Sequence, residues 1–329
     1  MRKVDLRNKN VLIAGGLGFI GSNLAHECVE LGAKVTIFDN NNPFGGGNAV
    51  NIDGLAGKID VVDGDILNYD DIARQVVDQD IIFNCAASTS HPFSMREPLA
   101  DLDVNGKGMI NLLEALRRKS RKTKLVHIGT TTQMGELKYQ PADEDHAEFP
   151  TDVYSASKSL SEKYALIYGK SYSIPVTVLR FPNIYGPRAR INSSDFTFVN
   201  YFIGLALVGK SITVYGDGKQ LRNLVYVSDA VDALVAAALE DKVNGEVMIA
   251  TSDEHLSVKS IAKKITEVFG SSKVKLVRWP RRRKAIEVGD AVYSNKKIKS
   301  LLGWRAKVKF SAGLKKTLKY YKKVLSKYI

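Results

Sequence analysis

Residues 11–21 read Val-Leu-Ile-Ala-Gly-Gly-Leu-Gly-Phe-Ile-Gly, an apolar run that ends in glycines and passes directly into a helical pattern. Four consecutive apolar residues stopped by glycine predict a buried strand, and a helix starting at once must cross back over the sheet. Glycines at 15, 18 and 21 let the backbone turn tightly, approach a pyrophosphate and pack the helix against the strand. The helix N-terminus then presents free N–H groups and a positive dipole end to phosphates. Gly15, Gly18, Phe19, Ile20 and Gly21 are accordingly expected against a dinucleotide.

The same alternation continues downstream. Stretches 11–14, 34–38, 59–62, 81–85, 124–128 and 176–180 read as buried strands, and 20–31, 71–77, 99–118 and 153–172 as helices. Repeated strand–helix units predict an α/β fold, a doubly wound parallel sheet with helices on both faces. Beyond residue 180 the elements shorten and turns such as Gly216-Asp217-Gly218 appear, without repeats or a linker. The expected division is a dinucleotide-binding domain over residues 1–180. A smaller, mainly substrate-binding lobe follows over 181–329, with some of its segments returning to the main sheet.

Composition narrows the class. The chain has 329 residues, 44% hydrophobic and 25% charged, which suits a globular protein and not a disordered one. No apolar run approaches the ~20 residues that span a bilayer, and the stretch before Val11 is no signal peptide. The expectation is a soluble, cytoplasmic chain. Cys28 and Cys85 sit in separate apolar segments, as thiols do in a reducing compartment, and no Cys/His cluster has metal-ligand spacing. The net charge of +13 is concentrated: from Ser271 onward there are 19 Lys and Arg against two acids. Such a segment attracts nucleic acid, an acidic membrane or an anionic substrate. Its ordinary reading is a solvated helix face, since Leu314, Leu318, Tyr321 and Leu325 share one side and Lys315, Lys316, Lys319, Lys322 and Lys323 fill the rest. Neither a nucleic acid nor a membrane partner is expected.

The second strand ends at Asp39, eighteen residues beyond Gly21. A carboxylate there accepts hydrogen bonds from both ribose hydroxyls of NAD and repels the 2′-phosphate of NADP. Asn40 follows it, and Asp65-Ile66 after the third strand can hold the adenine. Further on, Tyr154-Ser-Ala-Ser-Lys158 lies on a predicted helix, and the i, i+4 spacing puts tyrosine and lysine on one face. A phenol titrates near ~10, too high for a base at neutral pH, unless a neighbouring ammonium favours the phenolate. The strand over 124–128 runs out into Gly129-Thr130-Thr131-Thr132, so a hydroxyl is available to the oxygen that Tyr154 would deprotonate. Thr130 is the expected donor; a shift of one residue makes it Thr131.

With these motifs on the page the chain resembles the extended short-chain dehydrogenase/reductases, in the NAD-dependent nucleotide-sugar epimerase/dehydratase branch. The resemblance spans nearly the whole chain. It rests on the glycine triplet, Asp39, Ala86-Ala87 after the fourth strand, Asn105 on the next helix and Tyr154/Lys158. Two later segments mark the extended branch, Arg180-Phe-Pro-Asn183-Ile-Tyr-Gly-Pro187-Arg188 and Arg222-Asn-Leu-Val-Tyr-Val-Ser-Asp229. It implies a Rossmann-type sheet, NAD, and a nucleotide-sugar substrate, a UDP-sugar in the simplest case. It further implies that Ala86, Ala87, Asn105, Phe181 and Pro182 adjoin the cofactor. Ser94, Thr130, Thr131, Asn183, Arg222, Arg283 and Asp290 would adjoin the substrate, Arg222 as a clamp on the diphosphate. Relatives also dimerise through the helices over 99–118 and 153–172, so a homodimer is expected.

In this branch Tyr154 would take the hydroxyl proton at sugar carbon 4 while hydride passes to NAD. Dehydratase relatives carry Asp-Glu after the catalytic threonine, and decarboxylase relatives carry glutamate at the second of those positions. Here both are threonine, Thr131 and Thr132. The reading is therefore an epimerase resembling UDP-glucose 4-epimerase, with a decarboxylase or a 4,6-dehydratase as the alternative within the family. The alternative of another class is a non-catalytic dinucleotide-binding protein whose basic tail contacts RNA or membrane.

Overall fold

Strand β1, Asn10–Ala14, alternates its side chains between two cores: Val11 and Ile13 enter one, Leu12 and Ala14 the other, and all four are fully buried. Burial on both faces is what a continuous apolar run requires, and it fixes β1 at the centre of a sheet. A computed structural model describes residues 5–42, 45–270 and 273–329, apart from the side chain of Arg282. Residues 1–4 of the polar N-terminal stretch thus lie outside the described residues.

The other strands are β2 (Lys34–Asp39), β3 (Ile59–Asp63), β4 (Ile81–Asn84), β5 (Lys124–Thr130), β6 (Val176–Phe181), β7 (Asn183–Tyr185), β8 (Ile212–Tyr215), β9 (Leu221–Tyr226), β10 (Val247–Ile249), β11 (His255–Ser257) and β12 (Val274–Val277). Seven of them form one parallel sheet in the order β10-β6-β5-β4-β1-β2-β3. The strand order reverses between β1 and β4, so their C-terminal ends diverge and leave a crevice, the place where such sheets bind ligands. One face is covered by the Phe19–Glu30 and Val227–Ala238 helices, through Leu24, Ala25, Val231 and Leu234. The opposite face is covered by Tyr69–Gln75, Gly108–Lys119 and Val153–Tyr172, through Ile72, Leu112, Leu116 and Ala165.

The helix expected over 99–118 starts at Pro98, whose missing N–H suits a first turn, and runs to Lys119 with one wide turn at Asp103–Lys107. In this widened turn Asn105 is buried, and its amide donates to Ser88 O (3.0 Å) and Ser157 Oγ (2.9 Å). Beyond β6 a separate apolar core gathers Val199, Ile203, Ile212, Val214, Ile261, Ile265, Phe310, Leu314 and Tyr321. Two small sheets, β11-β9-β7 and β12-β8, lie in this part, whereas β10 joins the main sheet beside β6. The last helix, Phe310–Val324, buries Leu314 and Tyr321 completely and leaves its five lysines exposed. Among the described residues no helix is long and apolar enough to cross a membrane, and no cluster of three or more metal-ligating side chains occurs.

Candidate active site

A cavity of about 970 Å³ opens at the β1/β4 crevice and runs past the ends of β5 and β6 to β9 and the Arg281–Lys284 turn. At its floor Gly15 has φ +76°, and a Cβ there would meet Ala86 N and Cys85 C at 2.7 Å. A Cβ on Gly21 would lie 2.2 Å from Gly15 O. Both positions need glycine, because only then can the turn close on β4 and the helix on the turn. The Phe19–Glu30 helix has Gly18 as its N-cap and no side chain capping it, so its first N–H groups face the cavity unspent. This cradle fits a pyrophosphate, which can approach nearer than any Cβ would permit.

Asp39 lies at the cavity edge. Its carboxylate accepts from Leu17 N and Asn41 N, both at 2.9 Å. Burial pushes its carboxyl up from the usual range, and the two backbone bonds oppose the rise. Two lone-pair directions remain for ribose hydroxyls. Asn40 donates to Asp65 (3.1 Å), and Asp65 is itself fixed by Leu67 N (2.8 Å); with Ile66 they edge the cavity beyond β3. Ala86, Ala87, Phe181 and Pro182 also line it.

The candidate acid–base groups stand where β5 meets the start of the Val153–Tyr172 helix. Asp152 caps that helix by accepting from Ser155 N (2.8 Å), which presents Tyr154 and Lys158 one turn apart toward the end of β5. The side chain of Thr130, the last residue of β5, acts on the Tyr154 phenol and favours its ionised form. Its Oγ1 also accepts from Thr132 N (3.2 Å) and meets Thr132 Oγ1 at 3.1 Å, and Ser155 extends the hydroxyl chain (3.0 Å). Of the two threonines left open by the sequence, Thr130 is the one whose side chain bears on the Tyr154 phenol. Thr131 lines the cavity, and its carbonyl accepts from Tyr293. Burial pushes the Tyr154 phenol up, with the Thr130 bond opposing, and pulls the Lys158 ammonium down to about 8.

Lys158 Nζ lies 3.3 Å from His127 Nε2, and the His127 Nδ1 lies 3.3 Å from the Asn84 amide. Burial first, and Lys158 second, hold His127 well below its usual range, so the ring is neutral. Asn84 Oδ1 has no partner, and turning the amide over lets that oxygen accept from Nδ1–H. Nε2 is then a pure acceptor for Lys158.

Three expected contacts fall elsewhere. Ser94 is fully buried and does not line the cavity: its hydroxyl accepts Tyr154 N (3.0 Å) and donates to His91 O (2.9 Å), anchoring the helix start instead of touching a sugar. Asn105 likewise lies behind the wall, where it ties the Ser88 backbone to the helix. Asp290 faces Leu221 N (2.7 Å), a bond that pins its loop to β9 and turns the carboxylate away from the cavity. Asn183, Arg222 and Arg283 do line it. Arg222 is already engaged, by Glu287 (2.7 Å), Leu221 O (2.8 Å) and Gly289 O (2.5 Å).

Several lining groups had no signature in the sequence. His91 and Asp152 pair across 61 residues, and His91 stands edge-on to the Tyr154 ring with centroids 4.7 Å apart. Glu287 and Trp279 join the cavity from the C-terminal segment. No local spacing links such residues; only the alternating pattern that builds the sheet could have placed their loops side by side.

The chain is 32% identical over 323 residues to a UDP-N-acetyl-alpha-D-glucosaminuronate decarboxylase of Bacillus cytotoxicus, covering 96% of this chain and 98% of that one. It is 30% identical over 314 residues to a putative UDP-glucose 4-epimerase of Methanocaldococcus jannaschii, covering 95% and 98%. Its structure superposes on UDP-glucose 4-epimerase of Thermotoga maritima, solved with UDP-glucose, with a TM-score of 0.87 at 28% identity over 96% of this chain and 99% of that one. On the NAD complex of dTDP-glucose 4,6-dehydratase from Bacillus anthracis the TM-score is 0.83 at 27% identity, over 97% and 98%. A family model matches residues 11–250, and the chain belongs to the family it describes, the NAD dependent epimerase/dehydratase family.

Proposed function

We propose that this enzyme is a nucleotide-sugar 4-epimerase acting on a UDP-sugar. The observation that carries the reading is what stands beside Tyr154. The two residues after Thr130 are threonines, and Asp152, the carboxylate that caps the helix start, is spent on His91 and Ser155. Relatives that eliminate water carry their acid and base as carboxyl groups at those two threonine positions; inversion of carbon 4 needs neither.

Tyr154 takes the proton of the carbon 4 hydroxyl, with Thr130 holding the same oxygen. Lys158 stabilises the phenolate that does so, and His127 fixes the ammonium by accepting from it. Bound NAD supplies the acceptor for the carbon 4 hydride and its return to the opposite face. The glycine turn and the open helix end would hold its pyrophosphate, Asp39 its ribose, and Asp65 and Ile66 its adenine end. Arg222 and Arg283 would receive the substrate diphosphate, Arg222 by exchanging Glu287 for phosphate oxygens. The segment from residue 181 onward then serves mainly as the substrate lobe.

The test is mass spectrometry after incubation with NAD and a panel of UDP-, dTDP-, GDP- and CDP-sugars. An isobaric product of altered retention is expected from a UDP-sugar. Loss of carbon dioxide or of water would replace epimerisation by decarboxylation or dehydration, and the relative from B. cytotoxicus gives the first of these its weight. A homodimer through the Pro98–Lys119 and Val153–Tyr172 helices belongs to the same proposal. Leu99 and Ile167 on these helices are 75% and 54% exposed, so Leu99→Glu with Ile167→Glu is expected to yield monomers in sedimentation.

A further inference from the structure

His91 and Asp152 form a pair in the cavity wall that hydride transfer does not use. Asp152 is nearly inaccessible, with one oxygen on Ser155 N and the other on His91 Nδ1. Burial is the largest single influence and pushes its carboxyl up, but the bonds from His91 and Ser155 together outweigh it and keep the group below the usual range, hence ionised. An ionised acceptor fixes the proton on Nδ1 and leaves Nε2 as the basic nitrogen. Nε2 makes no hydrogen bond among the described residues, and the ring is one-third exposed, on the cavity side. Ser94, one turn along from His91, accepts the Tyr154 N–H, and the two rings meet edge-on. Imidazole and phenol are therefore held as one unit. A base oriented by a buried carboxylate, on a ring that lines the cavity, is the arrangement that proton abstraction requires.

We propose that His91, oriented by Asp152, is a second acid–base group of this site, acting on the ring carbon next to carbon 4 once carbon 4 is a ketone. The inference rests on the oxidation of carbon 4 argued above. A C–H beside a carbonyl is acidic because its electron pair can move onto the carbonyl oxygen. His91 Nε2 takes the proton, the C–H pair becomes the carbon–carbon π bond of an enolate, and the carbonyl π pair moves to oxygen. That oxygen would sit beside the hydroxyls of Thr130 and Tyr154, the latter protonated by the first step, so both would donate to the developing charge. The imidazolium returns the proton to carbon, and no net oxidation or reduction occurs. Simple return of hydride leaves the neighbouring C–H untouched; this site would exchange it with solvent.

The experiment incubates the full chain with NAD and the UDP-sugar panel in D2O and locates deuterium by NMR. Wild type is expected to incorporate deuterium at carbon 3 or carbon 5, and His91→Ala to lose ~100-fold or more of that rate. Free imidazole is expected to restore part of it, with substituted imidazoles following their basicity. Asp152→Asn retains a capping oxygen, and the pH profile of exchange is expected to move in it. If His91→Ala does not fold, His91→Gln, polar but unable to relay a proton, takes its place. Turnover at carbon 4 without deuterium beside it would overturn this proposal and leave the oxidation reading intact. Exchange unaffected by the His91 substitution would also overturn it. Neither cofactor reduction nor turnover with any sugar would end the oxidation reading, and this proposal with it.

Discussion

Replacing Lys158 by methionine is expected to make the protein more stable while disabling it. Lys158 is 4% exposed, and no carboxylate lies within ion-pair distance among the described residues. Burial lowers its ammonium from the ordinary 10.5 to about 8. The folded chain thus binds that proton more weakly than the unfolded chain does. Through linkage, stability rises as pH climbs from about 8 to 10.5, and below pH 8 the full cost of the buried charge is present, about 3 kcal/mol. Methionine fills a similar volume with an apolar chain. It gives up the hydrogen bond to His127, about 1 kcal/mol, so a net gain of about 2 kcal/mol is expected at pH 7. By pH 10.5 the gain vanishes or reverses, because wild type then holds a neutral amine. Denaturant unfolding of both proteins without cofactor, at pH 7 and near pH 10, reads this directly, provided the slopes agree. Equal stability at pH 7, or a gain of the same size at both pH values, would refute the argument. Turnover is expected to fall ~100-fold or more in the same variant.

Tyr154→Phe removes the proton acceptor and is expected to cut turnover by ~100-fold or more with NAD binding nearly intact, as steady-state rates and cofactor titration would reveal. Asp39→Ala is expected to weaken NAD and relax discrimination against NADP, measured as the ratio of the two affinities; an unchanged ratio would make Asp39 a turn residue only. Gly21→Ala forces a Cβ against Gly15 O, with strain of about 1–3 kcal/mol, expected as a roughly 10- to 100-fold loss of NAD affinity in titration. Arg180→Met strands the buried Glu162 carboxylate that Arg180 holds at 2.5 and 2.8 Å, and is expected to cost about 3–5 kcal/mol in denaturant unfolding.

Much of the main sheet was legible in the sequence because its strands are buried on both faces. Val11 to Ala14 cannot alternate polar and apolar when each side meets a core, so the continuous run announces the strand and the glycines announce the turn. The glycine turn, Asp39, Asp65, Thr130 and the tyrosine–lysine pair all line one cavity, since each follows or flanks a strand end and the parallel sheet gathers those ends. Where the reading went astray, the reason was tertiary. A serine that resembles a substrate ligand in Ser94-Met-Arg-Glu-Pro98 is equally suited to cap a neighbouring helix, and burial decides for the cap. Asp290 was expected beside the substrate only from the family resemblance, and β9 offers it a backbone N–H.

The catalytic helix explains why motif and periodicity gave different kinds of information. On Val153–Tyr172 the buried positions include Ser155, Ser157, Lys158, Ser159, Ser161 and Glu162, so its inner face near the site is polar. A helix of that kind gains little from apolar burial and depends on partners for each group: Thr132 for Ser155, Asp101 for Ser157, Glu148 for Ser159, Arg180 for Glu162. The contrast within it is instructive. Glu162 is matched by a bidentate guanidinium and contributes to holding β6 in place, whereas Lys158 has a neutral imidazole and no carboxylate within ion-pair distance among the described residues. A buried cation without a directly paired anion is disfavoured for folding alone, and that imbalance would leave its charge available to a phenolate four residues away. Lys158 thus lowers the stability of the helix at the position where the proposed chemistry would use it.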